Sequence, residues 1–104
     1  MLKILLCCSA GMSTSLLVSK MQSEARKMNF ECEIEAMSVT EGKQLINNWD
    51  VVMVGPQVTY ALDEFKKITA KPVEAIPPQI YATAKGKEAL EMAKRMAEGA
   101  NIKY

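Results

Sequence analysis

Cys8 opens a run of small and hydroxylated residues, Ser9, Ala10, Gly11, Met12, Ser13, Thr14 and Ser15, and it follows a second cysteine, Cys7. A thiolate is a strong nucleophile, and a glycine-containing loop that leads into a helix aims backbone N–H groups at one point. Gly11 permits the positive φ that such a nest needs, and Ser9, Ser13, Thr14 and Ser15 can add hydroxyl donors. An anion with three terminal oxygens suits this arrangement, and phosphate is the common one. The partial positive charge at a helix N-terminus also favours the thiolate form of a cysteine. A thiol beside a phosphate cradle points to a phosphocysteine.

The remaining composition removes most other chemistries. Histidine is absent, which excludes Ser-His and Cys-His nucleophilic pairs, a histidine general base and histidine metal ligands. Three cysteines, two of them adjacent, suit neither a disulfide framework nor a four-ligand zinc site, so no metal or other cofactor is expected. Thirteen basic against twelve acidic residues leave a net charge of +1, scattered along the chain, which argues against a nucleic-acid partner. The apolar run from Ile4 to Cys8 is shorter than the core of a secretion signal, and nothing approaches the length of a membrane span. A soluble, cytoplasmic protein of one domain covering residues 1–104 is expected.

The elements that must hold the cysteine follow from hydrophobic periodicity. Leu2, Ile4, Leu5, Leu6 and Cys7 make a nearly continuous apolar run, which suits a strand buried on both faces. Ser13, Thr14 or Ser15 can cap a helix in which Leu17, Met21, Ala25 and Met28 share one face. Residues 30–37 alternate, with Phe30, Cys32, Ile34 and Ala36 opposite Glu31, Glu33 and Glu35, as expected for a half-exposed edge strand. A short helix over 41–47 and a buried strand from Val51 to Val54 come next. Val58, Ala61, Leu62, Phe65 and Ile68 then mark a helix face. A short strand between Pro72 and Pro77 precedes a long helix from about Thr83 to Glu98, with Leu90, Ala93 and Ala97 inward.

Strands alternating with helices imply an α/β fold with a parallel sheet and helices on both faces, a single three-layer domain. The second strand belongs at an edge while the first and third look central, and the strand order 2-1-3-4 satisfies this. Ligands of such sheets sit at the carboxyl ends of the strands, where the order reverses. Cys8, its loop and the Gly55-Pro56-Gln57 turn all fall there. Cys7 continues the strand into a packing layer, whereas Cys8, as the first loop residue, is expected to face the nest. Gln57 bonds the loop or phosphate, or simply shapes its turn. Tyr81 either packs beside the same site or serves the core, and Met12 is an exposed contact for partners or a partial core residue.

A low-molecular-weight phosphatase or arsenate reductase has a related loop, but it places an arginine where this chain has Thr14. The bidentate clamp on the transferring phosphoryl group is therefore missing, and no aspartate precedes a proline to act as general acid. A module that binds an anion without covalent chemistry is a second alternative.

The segments CCSAGMSTSLLVSKM, DVVMVGPQVTYAL and KPVEAIPPQIY resemble the enzyme IIB component of the bacterial sugar phosphotransferase system, of the lactose/cellobiose/diacetylchitobiose type. The similarity runs over nearly the whole chain. It implies a fold like that of the low-molecular-weight tyrosine phosphatases. It also implies that a phosphohistidine on enzyme IIA donates its phosphoryl group to Cys8, which passes it to sugar held by the membrane permease IIC. The loop from Ser9 to Ser15 would bind the phosphoryl group, and transient association with the membrane would come through IIC. Cys7 departs from the apolar residue usual in that family.

Overall fold

The computed structural model describes residues 1–8 and 12–104, the side chains of Met12 and Ser13 apart. Expectations that rest on Ser9, Ala10 and Gly11, or on the side chains of Met12 and Ser13, lie outside the described residues.

Four parallel strands, β1 (Leu2–Cys8), β2 (Cys32–Ser38), β3 (Val51–Val54) and β4 (Val73–Ala75), form one sheet in the order β2-β1-β3-β4. β1 is central because it has no polar face: Leu2, Ile4, Leu5, Leu6 and Cys7 are all fully buried. Its side chains alternate between two cores. Leu2, Ile4 and Leu6 meet the helices α1 (Met12–Lys27), α4 (Pro78–Ala82) and α5 (Gly86–Gly99), through Leu17, Met21, Tyr81, Leu90 and Ala93. Leu5 and Cys7 meet the opposite layer, α2 (Val39–Gln44) and α3 (Ala61–Ile68), through Val39, Ala61 and Phe65. The sandwich of helix, sheet and helix that the alternation implies is the observed one.

The edge strand behaves as its pattern demands. Ile34 is buried against the first core, Glu35 is exposed, and Lys3 of β1 reaches Glu33 at 3.7 Å. Such an exposed pair contributes little to stability. At the amino end, Asp50 accepts from the Lys3 N–H at 2.9 Å and donates its own N–H to the Lys3 carbonyl at 2.8 Å, fixing the register of β1 and β3.

Several boundaries differ from the periodicity reading. α1 begins at Met12, so Thr14 and Ser15 lie in its first turn rather than at its cap. It ends at Lys27, which leaves Met28 outside the helix and 45% exposed. The short helix is α2, over Val39–Gln44, followed by a 3-10 turn at Ile46–Asn48; Ser38 caps it by accepting from the Glu41 N–H at 3.2 Å. Val58 belongs to a 3-10 turn at Pro56–Val58 ahead of α3. Pro78 opens α4, a five-residue helix, and the final helix starts only at Gly86. Proline ends a strand and starts a helix equally well, so the second event was hidden behind the first.

Two glycines set how closely layers approach. A Cβ on Gly42 would stand 2.5 Å from the Cys7 Sγ, so α2 can lie over the end of β1 only without one. A Cβ on Gly86 would stand 2.5 Å from the Lys20 carbonyl carbon, so α5 meets α1 backbone to backbone.

Candidate functional site

The carboxyl ends of β1 and β3 meet where the sheet order reverses, and the first turn of α1 starts beside them. Cys8 is the last residue of β1, opposite Ser38 of β2, and only 2% exposed. This corrects the expectation that it begins the loop. The ladder runs one residue further than the change in residue type suggests, and the thiol belongs to a rigid strand end. By alternation it lies on the sheet face covered by α1.

Gly55 ends β3 and donates its N–H to the Cys7 carbonyl at 2.8 Å. A Cβ there would lie 3.6 Å from the Cys8 Cβ and 2.9 Å from the Gln57 Oε1. The contact with Cys8 would be an ordinary one, whereas the approach to Gln57 would not, so the bare Gly55 is what lets the Gln57 carboxamide fold back over the strand end beside Cys8. Gln57 accordingly stands beside the candidate site.

The two vicinal cysteines are set apart by the strand. Cys7 is fully buried among Leu5, Val54 and Phe65. Burial, with the neighbouring Cys8 sulfur as a second cause, pushes its thiol up to about 12. At neutral pH it stays protonated and is a poor nucleophile. Cys32 sits half-buried at the other end of the sheet, and burial raises its thiol too. Cys8 is therefore the candidate nucleophile by position and by elimination.

Thr14 in the first turn of α1 is the one buried polar side chain among the described residues, at 1% exposure. Its Oγ1 lies 3.0 Å from the Tyr81 hydroxyl of α4, which joins Tyr81 to the same end of the molecule. Ser15 is exposed on the same turn. The first turn of a helix has backbone N–H groups with no intrahelical acceptor, so an anion at the Cys8 sulfur would meet donors already in place.

A sequence model described as "PTS system, Lactose/Cellobiose specific IIB subunit" matches residues 3–92. The chain belongs to that family. An oligo-β-mannoside-specific EIIB component of Bacillus subtilis (strain 168) is 42% identical over 96 residues, covering 89% of this chain and 93% of that protein. A galactose-specific EIIB component of Lactococcus lactis subsp. cremoris is 37% identical over 101 residues, covering 89% and 94%. Among solved structures, the cellobiose-specific IIB component of Borrelia burgdorferi superposes with a TM-score of 0.80 at 33% identity, covering 94% of this chain and 93% of that one. The lactose-specific IIB domain of Streptococcus pneumoniae, at 16% identity and a TM-score of 0.78, shares the fold.

For a member of the IIB family, three features of this end of the molecule escaped the sequence reading. Gly55 was visible only as a turn residue, although its missing Cβ is what admits the Gln57 carboxamide beside Cys8. Leu16 and Tyr60 are 56% and 63% exposed; Leu16 lies early in α1, which follows β1, and Tyr60 lies just ahead of α3, which follows β3. The Leu16-Leu17 pair carried a signal, since adjacent helical residues cannot both face one core. Tyr60 carried none. Among the described residues, no helix is long and apolar enough to cross a membrane.

Proposed function

We propose that Cys8 is the phosphoryl carrier of a IIB component, covering residues 1–104, that works between enzyme IIA and the membrane permease IIC. The Cys8 sulfur attacks phosphorus in the IIA phosphohistidine, an S–P bond forms as the N–P bond breaks, and the imidazole leaves with the electron pair. A sugar hydroxyl held by IIC then attacks the same phosphorus. The S–P bond breaks, the thiolate returns, and the hydroxyl proton goes to a base outside this chain, which has no histidine of its own. The loop from Ser9 to Ser15 and the first turn of α1 hold the phosphoryl oxygens. The names of the relatives, for oligo-β-mannoside, galactose and cellobiose, support a sugar of the lactose and cellobiose class. Work with IIA and IIC puts the protein on the cytoplasmic side of the membrane.

The observation that carries this reading is the contrast between vicinal thiols: Cys7 locked in the core and held protonated, Cys8 at the strand end over the start of a helix. A phosphatase reading lacks support at the same place. Thr14 occupies the position of the phosphatase arginine, and its hydroxyl, which meets that of Tyr81 in a buried bond, cannot supply a bidentate cationic clamp. A carrier has to keep its phosphoryl group from water, and the absence of a general acid or base serves that end.

Phosphoenolpyruvate, the general phosphotransferase proteins and enzyme IIA should add one acid-labile phosphoryl group, read by intact mass. Cys8→Ser should abolish it, and peptide mapping should find it on Cys8. Phosphate on Cys7, or sustained Cys8-dependent hydrolysis of aryl phosphates, would overturn the reading.

A further inference from the structure

We propose that Tyr81 is a positioning residue for phosphoryl transfer, acting through Thr14, an inference that rests on Cys8 being the carrier. Burying a hydroxyl without a partner is costly, and valine would fill the same volume with no polar group. Thr14 is nevertheless a hydroxyl at 1% exposure, and its partner comes from α4, 67 residues further on. The two hydroxyls meet at 3.0 Å over the core that lies on the α1 side of the sheet. They tie the segment after β4 to the first turn of the helix that starts at the site.

The link also sets the direction of a proton. A phenol is a stronger acid than an aliphatic alcohol, so Tyr81 is the better donor and Thr14 Oγ1 the better acceptor. Where Tyr81 donates, Thr14 keeps its own hydrogen for a second acceptor, and in the proposed transfer that acceptor is an oxygen of the phosphoryl group on Cys8. In this proposal Tyr81 orients a donor to the phosphoryl group and does not itself contact that group.

The test compares Tyr81→Phe, Thr14→Val, Thr14→Ser and the double variant Tyr81→Phe/Thr14→Val, using single-turnover phosphorylation by enzyme IIA over a range of IIA concentrations. Circular dichroism fixes the folded fraction at the assay temperature. Tyr81→Phe and Thr14→Val should each lower the saturating rate about tenfold, the worth of one hydrogen bond to a charged group. The IIA concentration at half-maximal rate should stay unchanged, and Thr14→Ser, which keeps the hydroxyl, should recover most of the rate lost in Thr14→Val. The double variant should be no slower than the slower single one, because both remove one link. Wild-type saturating rates in folded Tyr81→Phe and Thr14→Val would overturn the proposal and leave the bond as a staple of the core. Losses that multiply in the double variant, or that appear only in the IIA concentration dependence, would overturn it equally. Failure of the carrier reading is distinct from all of these, since the wild type itself would then take up no phosphoryl group on Cys8.

Discussion

Gly42→Ala tests how the buried cysteine is held. The new methyl would stand 2.5 Å from the Cys7 Sγ, 3.3 Å from Phe65 Cζ and 3.4 Å from Leu5 Cδ2. Only the first contact is impossible. The sulfur is a single torsion from the backbone of the central strand, so relief requires a shift of α2 or a strained rotamer. Overpacking of this kind costs up to about 3 kcal/mol. Alanine in a helix gains back about 1 kcal/mol over glycine. The net loss should be about 2 kcal/mol, or roughly 10 °C in the thermal midpoint of a chain this size. Cys7→Ala removes the offending atom and leaves a small void, for about 1 kcal/mol. In the double variant the two methyl groups share the space, and stability should return to within about 1 kcal/mol of wild type, a coupling near 2 kcal/mol. Urea denaturation of the four proteins gives the cycle directly. A Gly42→Ala protein as stable as wild type, or a double variant whose losses simply add, would refute this packing of α2 on Cys7.

Other outcomes follow from the same coordinates. The Cys7 thiol, pushed up to about 12 in the fold, ionises from its ordinary value of 9.0 once the chain unfolds. Unfolding therefore releases a proton between those values: the stabilisation is complete below pH 9 and is lost as pH rises towards 12. Urea titrations at pH 8 and 10.5 should lose about 2 kcal/mol more in wild type than in Cys7→Ala; equal losses would place the thiol in a wetter setting. Tyr60→Asp, at an exposed ring near the carboxyl end of the sheet, should slow phosphorylation by enzyme IIA about tenfold at an unchanged thermal midpoint. An unaltered rate would remove Tyr60 from the docking face. Met12, the docking residue expected from the sequence, has a side chain outside the described residues.

The sheet was readable because burial on both faces and burial on one leave different traces. β1 and β3 are apolar runs, β2 alternates with glutamate, and the order 2-1-3-4 satisfies all of them. The start of α1 was not readable to the residue. Ser13, Thr14 and Ser15 all carry the chemistry of a cap, so composition alone could not say which turn they occupy. Cys8 as a strand residue was hidden for a related reason: ladders end where partners end, and Ser38 extends β2 far enough to pair with it. Tyr81 and Thr14 are 67 residues apart, and no local pattern announces a bond between two hydroxyls at that separation.

The bare backbone of Gly86 against Lys20 has a mechanical side. Two helices separated by side chains can slide, because rotamers absorb the movement. Helices in backbone contact cannot, and α1 with α5 forms one stiff plate over the sheet. Lys20 lies eight residues into the helix from Met12, at a rise of about 1.5 Å each, so the plate is anchored about 12 Å below the turn that faces Cys8. In the proposed relay, a phosphoryl group arriving on the Cys8 sulfur would meet a helix end that cannot give way along its axis. Electrostatic repulsion or attraction at that end is then borne by the whole plate rather than lost in a local adjustment. If Cys8 is the carrier proposed above, stiffness of that kind would let it present nearly the same geometry to donor and acceptor, before and after it is charged.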